Sequence, residues 1–488
     1  MLSLGGAMSC SRSSIAWLLA LAAASATASA TACKGGGSSS ADRDGATSPA
    51  ADAADCGADC PDGAGDGDAA AAPGDGEALV VAYVNCLCGF GAGSLDGACL
   101  DDPDPAVNHV KTWEDAGQSP ITHYVLSFLS FQGSQIQTDP GAIWADGGGS
   151  TSQFGLAAGL LDAMRSAQGR GKRVVLSLGG ELGSSGFLVW WSGLGGSTDE
   201  RVAGMRAELE RVAQAFEEQN GVAVDGFDVD IELGGVYSFG SDKYDATRDL
   251  INAVPDRFFV AFVPQIGNGL CAAPVAGDPL DPPTVLGGQC QQPVNGDDSA
   301  WVLARLDQDC RRVDDRPKLD YFGIQYYNAG QAECCGGGAD EAAMIRSAVQ
   351  SYVNLANGWP AAGDVADPDN PWHEWQFFPG PWPAFAGIGT QRLVLGKPGC
   401  QGCAGSDFLS LESMREVIAE LDGRLDGPMG GILFWDLCRL FGNTGPQCVG
   451  GICQPSWGGP DVLENLTDLR RRMAELRPRA SATSEIAR

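Results

Sequence analysis

Three acidic residues alternate with apolar residues in one short segment of the chain. Asp228, Asp230 and Glu232 are each separated by one apolar residue. Side chains alternate between the two faces of a strand, so the three carboxyl groups face the same way, about 6–7 Å apart along it. Like charges this close favour retention of a proton, which suits a general acid. The strict alternation argues against a merely exposed acidic strand end, and it predicts Glu232 as the acid.

Two metal sites are alternative interpretations of the sequence. An Asp-x-Asp pair can bind a divalent cation, but no further cluster of carboxylates or histidines is evident beside it. Cys400 and Cys403 have the spacing of zinc ligands, but the chain has no second C-x-x-C and only three histidines. We therefore predict no metal and no cofactor.

Eight short apolar segments are predicted to be the strands that position these acids. Nearly continuous apolar strands are typical of a parallel sheet buried on both faces. Helical patterns between several of them predict an α/β fold, a (β/α)8 TIM barrel, with Glu232 at the rim where such barrels carry their sites. The strand segments are Leu79–Asn85, His123–Phe131, Arg173–Gly180, Val222–Glu232, Phe258–Gln265, Leu319–Asn328, Arg392–Pro398 and Gly430–Leu437. The helical segments are Gly155–Gln168, Glu200–Gln219, Asp245–Val254, Leu411–Leu421 and Leu463–Leu476.

Two long connections, 267–313 and 329–391, are predicted to be loop insertions stapled by disulfides. The chain has 17 cysteines, many in close pairs, which indicates an oxidising compartment. Their connectivity is open, and an odd number left for pairing implies one free thiol or a different pairing. Trp190 and Trp191 either stack on sugars in the cleft or pack beneath a loop.

The first 76 residues are predicted to lie outside the catalytic domain. A short apolar run behind Arg12, followed by small residues, predicts a signal peptide over 1–32. Cys33 follows in a stretch that resembles a bacterial lipobox, so either lipidation or ordinary cleavage occurs there. Residues 33–76 are rich in Gly, Ala and Asp and predict a disordered tether. The catalytic domain is predicted over 77–480, in a secreted, cell-surface or periplasmic protein.

The charge of the chain restricts its partners. The formal net charge is −31, which disfavours nucleic acid and anionic membranes. We predict a monomer that contacts a membrane only through a lipid on Cys33. A neutral or partly cationic polymer remains compatible as the substrate.

The acidic segment also resembles a known family. Asp225–Glu232 matches the D-G-x-D-x-D-x-E signature of glycoside hydrolase family 18. Leu176–Gly180 is similar to the family's S-x-G-G element, and Val263–Gln265 to the end of its fifth strand. Gln325–Asn328 is similar to the Q-x-Y-N element of the hevamine-like plant and bacterial chitinases. Trp435 stands where the family has a tryptophan on the eighth strand, and the resemblance runs from about residue 79 to 476.

The resemblance implies a substrate-assisted retaining mechanism. Glu232 would protonate the glycosidic oxygen while the acetamido oxygen of the sugar attacks the anomeric carbon. Asp230 would orient the acetamido group and share a proton with Asp228. Tyr327 would donate a hydrogen bond to the acetamido carbonyl, and Trp435 would form the floor under the sugar. The remaining predicted substrate-binding residues are Tyr83, Ser177, Gln265, Gln325 and Asn328.

The resemblance implies chitin or another oligosaccharide that contains N-acetylglucosamine as the substrate, and two alternatives stay open. One is an endo-β-N-acetylglucosaminidase that acts on N-glycans, whose signature is similar. The other is a glycan-binding barrel without catalysis. Such lectins usually lack the last glutamate or the middle aspartate of the signature, whereas Glu232 and Asp230 are both present here.

Overall fold

The computed structural model describes residues 77–85, 104–141, 143–232, 241–264, 300–327, 341–357, 386–400, 408–437, 440, 448–449, 452–453, 457 and 461–478. The predicted signal peptide, the tether and Cys33 lie outside these residues and stay predictions. None of the described helices is long and apolar enough to span a membrane.

Eight parallel strands close into a barrel. Their order around the barrel is β1-β9-β8-β7-β6-β5-β4-β2, and β1 also pairs with β2, which completes the ring. A ninth strand, β3, pairs antiparallel with the end of β2. The predicted (β/α)8 barrel is therefore confirmed. The strands are β1 (Leu79–Val84), β2 (His123–Gln132), β3 (Gln135–Thr138), β4 (Arg173–Gly179), β5 (Gly226–Asp230), β6 (Phe259–Phe262), β7 (Tyr321–Gln325), β8 (Leu393–Pro398) and β9 (Gly431–Trp435).

Helices cover the outside of the barrel, and the main core lies between them and the strands. A second core fills the barrel itself. The helices are α1 (Asp104–Ala116), α2 (Ala158–Gly169), α3 (Gly180–Gly183), α4 (Phe187–Gly193), α5 (Thr198–Asn220), α6 (Asp242–Ala253), α7 (Ala300–Asp309), α8 (Glu341–Asn357), α9 (Leu411–Glu420) and α10 (Val462–Ala474). Short 3-10 turns occupy Ser184–Gly186 and Thr390–Arg392, and a small hairpin joins β10 (Cys448–Val449) to β11 (Ile452–Cys453).

Two of these helices lie in the connections that the sequence analysis treats as loop insertions. Helix α7 lies in the 267–313 connection, and α8 lies in the 329–391 connection. In α8 the buried residues Ile345, Val349, Tyr352 and Ala356 recur at helical spacing. This is the apolar stripe of a helix packed on a sheet. Parts of both connections are therefore regular layers of the barrel.

The described cysteines modify the disulfide prediction. Cys310 is a buried free thiol rather than part of a staple. Burial raises the pKa of this thiol well above its usual value, so it stays protonated and unreactive. Cys400 is disulfide-bonded, which leaves its sulfur unable to bind zinc as a thiolate.

Polar side chains tie the starts of neighbouring strands together at the bottom of the barrel. Thr122, Asp225 and Asp320 each stand just before a strand. Each accepts a hydrogen bond from a backbone N–H of the preceding barrel strand, at 3.0, 2.7 and 2.8 Å respectively. Asp225, the first aspartate of the signature, thus lies at the opposite end of β5 from Glu232. Its contacts are structural.

Replacing Asp225 by Ala should destabilise the fold, because Asp225 Oδ2 accepts hydrogen bonds from the Val174 N–H and from Gln168 Nε2. We expect the free energy of unfolding to fall by about 1–3 kcal/mol, the cost of unpairing a largely buried donor. Urea denaturation followed by circular dichroism measures it. Asp225→Asn keeps an acceptor oxygen and should lose less. Equal losses in the two variants would contradict this role.

Candidate active site

The three predicted acids form a row that climbs the inner face of the barrel. Asp228 and Asp230 lie on β5 and are 0% and 3% exposed. Glu232 follows two residues after the strand ends and is only partly buried, at the rim. The structure therefore brings the carboxyl groups together, with the last one open to a ligand.

Asp228 is held by hydroxyl groups from two other strands. Tyr83 Oη on β1 and Ser177 Oγ on β4 both donate to Asp228 Oδ2, at 2.7 and 2.6 Å. Tyr83 and Ser177 are predicted from the sequence to contact substrate, with Ser177 also a candidate for a supporting hydrogen bond behind the site. The structure buries both residues and directs their hydroxyls to Asp228, which agrees with the second role of Ser177. Their place in the site is to hold this carboxylate.

Asp230 and Glu232 are linked to each other and to Gln325. Gln325 Nε2 on β7 donates to Asp230 Oδ1 at 2.7 Å and lies 3.5 Å from Glu232 Oε1. The two carboxyl groups are also hydrogen-bonded to each other, so they share a proton. The charge of Asp228 also raises the pKa of Asp230, and the predicted sharing of a proton between these two residues stays a prediction.

Burial dominates the protonation of the site. Burial, with a smaller contribution from the negative charge of Glu181, raises the pKa of Glu232 to about 7, while hydrogen bonds from Gln325 and Asp230 oppose the shift. Burial also raises the pKa of Asp230, with the charges of Glu232 and Asp228 adding to the effect. Near neutral pH the site therefore still holds a proton that it can donate.

An aromatic wall stands beside the acids. The Trp435 ring at the end of β9 stacks on Phe128, with centroids 5.5 Å apart and planes 19° apart, and Tyr83 packs against it at 5.6 Å. Trp435 stays partly exposed, so a ring face is available to a flat apolar surface. Tyr327 is 7% exposed, and the charges of Asp230 and the other acids raise the pKa of its phenol further than burial alone does.

Phe128 and Ser184 are functional neighbours that the sequence analysis does not predict. Phe128 belongs to the apolar run of β2, where nothing in the pattern separates it from core residues. Ser184 Oγ accepts a hydrogen bond from the Glu232 backbone N–H at 2.8 Å and donates to the Asp230 carbonyl at 3.3 Å. This serine fixes the chain where the acid row leaves the strand.

The S-x-G-G element leaves room for this arrangement. Gly179 has φ +111°, and a Cβ there would lie 2.2 Å from the Asp230 carbonyl oxygen. A Cβ on Gly180 would lie 2.6 Å from the Phe128 ring. Side chains at either position would push apart β4, β5 and the aromatic wall. The two glycines permit close packing of the strand ends.

Other predicted residues are not part of the described site. Gln265 and Asn328 lie outside the described residues. Trp190 is completely buried in the core, and Trp191 donates to Asp249 at 3.0 Å. Trp190 therefore does not serve as a platform for sugars, and the Arg201 guanidinium lies over the Trp191 ring at 4.7 Å. Among the described residues, no group of three or more His, Cys, Asp or Glu is placed to hold a metal ion.

Comparison with known proteins gives similarities to solved structures. No protein-family model matches the chain, and no curated protein matches it significantly. A GH18 chitinase from Pseudoalteromonas aurantia is 16% identical, with 74% of this chain and 95% of that chain covered and a TM-score of 0.40. A family GH18 chitinase from Chromobacterium violaceum is 15% identical, with 81% and 83% covered and a TM-score of 0.45. A xylanase and α-amylase inhibitor protein from Scadoxus multiflorus is 16% identical, with 77% and 99% covered and a TM-score of 0.36. At these identities and TM-scores the likeness carries no argument about activity.

Removing the charge of Glu181 should lower the pKa of Glu232. Gly179 pairs with Asp230 in the β4–β5 register, so Glu181 and Glu232, each two residues further on, emerge side by side. Glu181 is exposed, and its negative charge disfavours ionisation of Glu232. We expect Glu181→Gln to move the titration of the Glu232 carboxyl carbon, followed by 13C NMR, to lower pH.

Glu420→Gln is the matched control, because Glu420 is exposed at the end of α9, before β9 begins at the other end of the barrel. An unchanged Glu232 titration in Glu181→Gln, or an equal shift in both variants, would contradict the interaction.

Proposed function

We propose that this chain is a glycoside hydrolase of family 18 that cleaves β-1,4 bonds next to N-acetylglucosamine in chitin or chito-oligosaccharides. The observation that carries the proposal is the hydrogen-bonded pair of Asp230 and Glu232, whose pKa values burial raises. Tyr83, which donates to Asp228 in the same row, packs against the ring of Trp435. The complete D-G-x-D-x-D-x-E match supports the same family. An exposed or purely structural acidic strand would need neither the burial nor the shared proton.

The reaction begins with proton transfer from Glu232. The glycosidic oxygen takes this proton and leaves with the departing sugar, while the acetamido oxygen of the other sugar bonds to the anomeric carbon. That step gives a cyclic oxazolinium cation and ionised Glu232. A water molecule then attacks the anomeric carbon and gives a proton to Glu232, while the bond from that carbon to the acetamido oxygen breaks and the neutral acetamide re-forms. The configuration is retained and the acid is regenerated.

Asp230 stabilises the cation that forms in this reaction. Its carboxyl group is almost completely buried, and a charge interaction in such an environment is screened less than in water. Gln325 holds the carboxyl group at 2.7 Å and so fixes its direction. The charges of the acids act on the buried Tyr327 phenol, and the family resemblance gives this residue the hydrogen bond to the acetamido oxygen. No second carboxylate nucleophile is needed.

Trp435 supports the sugar next to the scissile bond. The C–H face of a pyranose packs on an aromatic ring, and Trp435 is a partly exposed member of the aromatic wall, as is Phe128. Phe128 lies almost parallel to this ring and supports it from one side, with Tyr83 packed at an angle. The platform is therefore rigid before substrate binds, which limits the ordering cost of binding.

We further propose that the enzyme acts outside the cytoplasm. The signal-peptide pattern of residues 1–32 supports export, and Cys33 offers a site for a lipid anchor. The −31 net charge suits a neutral glycan or one with free amino groups.

Replacing Glu232 by Gln should abolish most activity and leave the fold intact. Loss of the general acid is expected to reduce kcat/KM by about 10²- to 10⁴-fold. Release of chromophore from chromogenic chitobiose and chitotriose measures this, with Glu420→Gln as the matched control of unchanged activity. Full activity in Glu232→Gln would exclude this residue as the acid.

The choice of substrate separates the proposed function from its alternatives. We expect cleavage of the chitin oligomers by the wild-type protein. Cleavage of a high-mannose glycopeptide alone would assign the chain to the endo-β-N-acetylglucosaminidases. Binding without cleavage of either substrate, equal in wild type and Glu232→Gln, would identify a lectin.

The pH dependence of kcat/KM should show a limb near neutrality. Glu232 must carry its proton to act, and its raised pKa keeps that proton until the pH rises through about 7. Activity is therefore expected to fall above pH 7, as measured by initial rates over a pH series. A fall centred near 4.5, the ordinary range of a glutamate, would contradict the effect of burial.

A further inference from the structure

Two more polar side chains lie inside the barrel below the acids. Tyr321, the first residue of β7, is completely buried, and His123, the first residue of β2, is 2% exposed. Their rings meet edge to face with centroids 6.1 Å apart. Burial lowers the pKa of His123 to about 3, with the charges of Arg173 and Lys172 adding to the effect, so this imidazole is neutral.

The Tyr321 hydroxyl and one oxygen of Asp228 can form a hydrogen bond as donor and acceptor. Asp228 accepts both of its hydrogen bonds on Oδ2, and Oδ1 has no hydrogen-bond partner among the described residues. The Tyr321 hydroxyl is also unpartnered there. An acceptor and a donor buried in one interior are normally satisfied, directly or through an ordered water molecule.

The field of the acids reaches this hydroxyl. The charges of Asp228 and Asp230 raise the pKa of the Tyr321 phenol beyond the effect of burial, and Tyr321 in turn raises that of Tyr83. The hydroxyls of Tyr321 and Tyr83 therefore both lie near enough to interact electrostatically with the Asp228 carboxylate. The titratable groups that interact with Asp228 from the surrounding elements are Tyr83, Asp230, Tyr321 and Tyr327.

We propose that Tyr321 is a positioning residue of this site, whose hydroxyl donates through one buried water molecule to Asp228 Oδ1. Asp228 then receives three donors, two on Oδ2 and one on Oδ1. The consequence for catalysis rests on the proposed function, but the hydrogen bond itself does not.

A third donor favours the ionised form of Asp228. Burial raises the pKa of Asp228 to about 7, and the hydrogen bonds from Ser177 and Tyr83 already oppose this shift. The negative charge of Asp228 raises the pKa of Asp230 and so favours a proton on Asp230, the residue hydrogen-bonded to Glu232. Without the Tyr321 hydroxyl, Asp228 would take up a proton more readily. Its negative charge would then raise the pKa of Asp230 less.

Tyr321→Phe removes one oxygen and leaves the ring packing intact. We expect the Asp228 carboxyl carbon to titrate at higher pH in 13C NMR. We also expect kcat to fall by about two- to tenfold, as for loss of one hydrogen bond, at nearly unchanged KM. On the acidic side of the pH profile, where kcat rises as Asp228 loses its proton, the limb should move to higher pH.

Tyr326→Phe is the matched control. Tyr326 directly follows β7, is completely buried and also has an unpartnered hydroxyl among the described residues. It packs outside the barrel, near Tyr352, so it does not face Asp228. This variant should leave both the titration of Asp228 and the pH profile unchanged.

Each outcome decides the proposal separately from the proposed function. An unchanged titration of Asp228 in Tyr321→Phe, or an equal shift in Tyr326→Phe, overturns it even if the protein is an active chitinase. A shift in Tyr321→Phe alone supports it even if no glycan is cleaved. In the wild-type protein, a high-resolution crystal structure should show one water molecule bonded to both Asp228 Oδ1 and Tyr321 Oη, and a dry gap there would refute it.

Discussion

The structure depends on the burial of three carboxyl groups in one row. Ionisation of Asp228, Asp230 and Glu232 is disfavoured by burial, and the charges that act on Asp230 and Glu232 come from other acids. The folded state holds these protons to higher pH than the unfolded chain does. The free energy of unfolding therefore falls as the pH rises from the ordinary pKa values of these groups to their raised values. That cost is what makes a proton available near neutral pH, where catalysis would use it.

Residues of the surrounding strands give the three carboxyl groups different hydrogen-bond partners. Hydroxyl donors oppose the effect of burial on Asp228 and favour its ionised form. Asp230 and Glu232 share a proton, with the Gln325 amide limiting the shift. The carboxyl groups of one row thus meet different neighbours, with hydroxyl donors at the bottom and an amide and a second carboxyl group near the top.

Backbone geometry keeps these differences in place. The close approach at Gly179 and the two hydrogen bonds of Ser184 hold the end of β5 against β4 and its following turn. Phe128 then supports Trp435 from across the rim. The platform for the sugar and the proton donor are therefore fixed by the same set of strand ends, which is the arrangement that preorganised catalysis requires.

The sequence by itself determined the barrel and the acid row, because both follow from local periodicity. Continuous apolar runs predict buried parallel strands, and strict alternation places the carboxyl groups on one face. Helices α7 and α8 were not predicted, because each lies within a long connection that is rich in Pro and Gly. Only the tertiary structure decided which residues meet the acids. Tyr83, Ser177, Gln325 and Tyr321 come from strands far apart in the chain, and the closure of the barrel, which no local pattern encodes, sets their distances and the position of the shared proton.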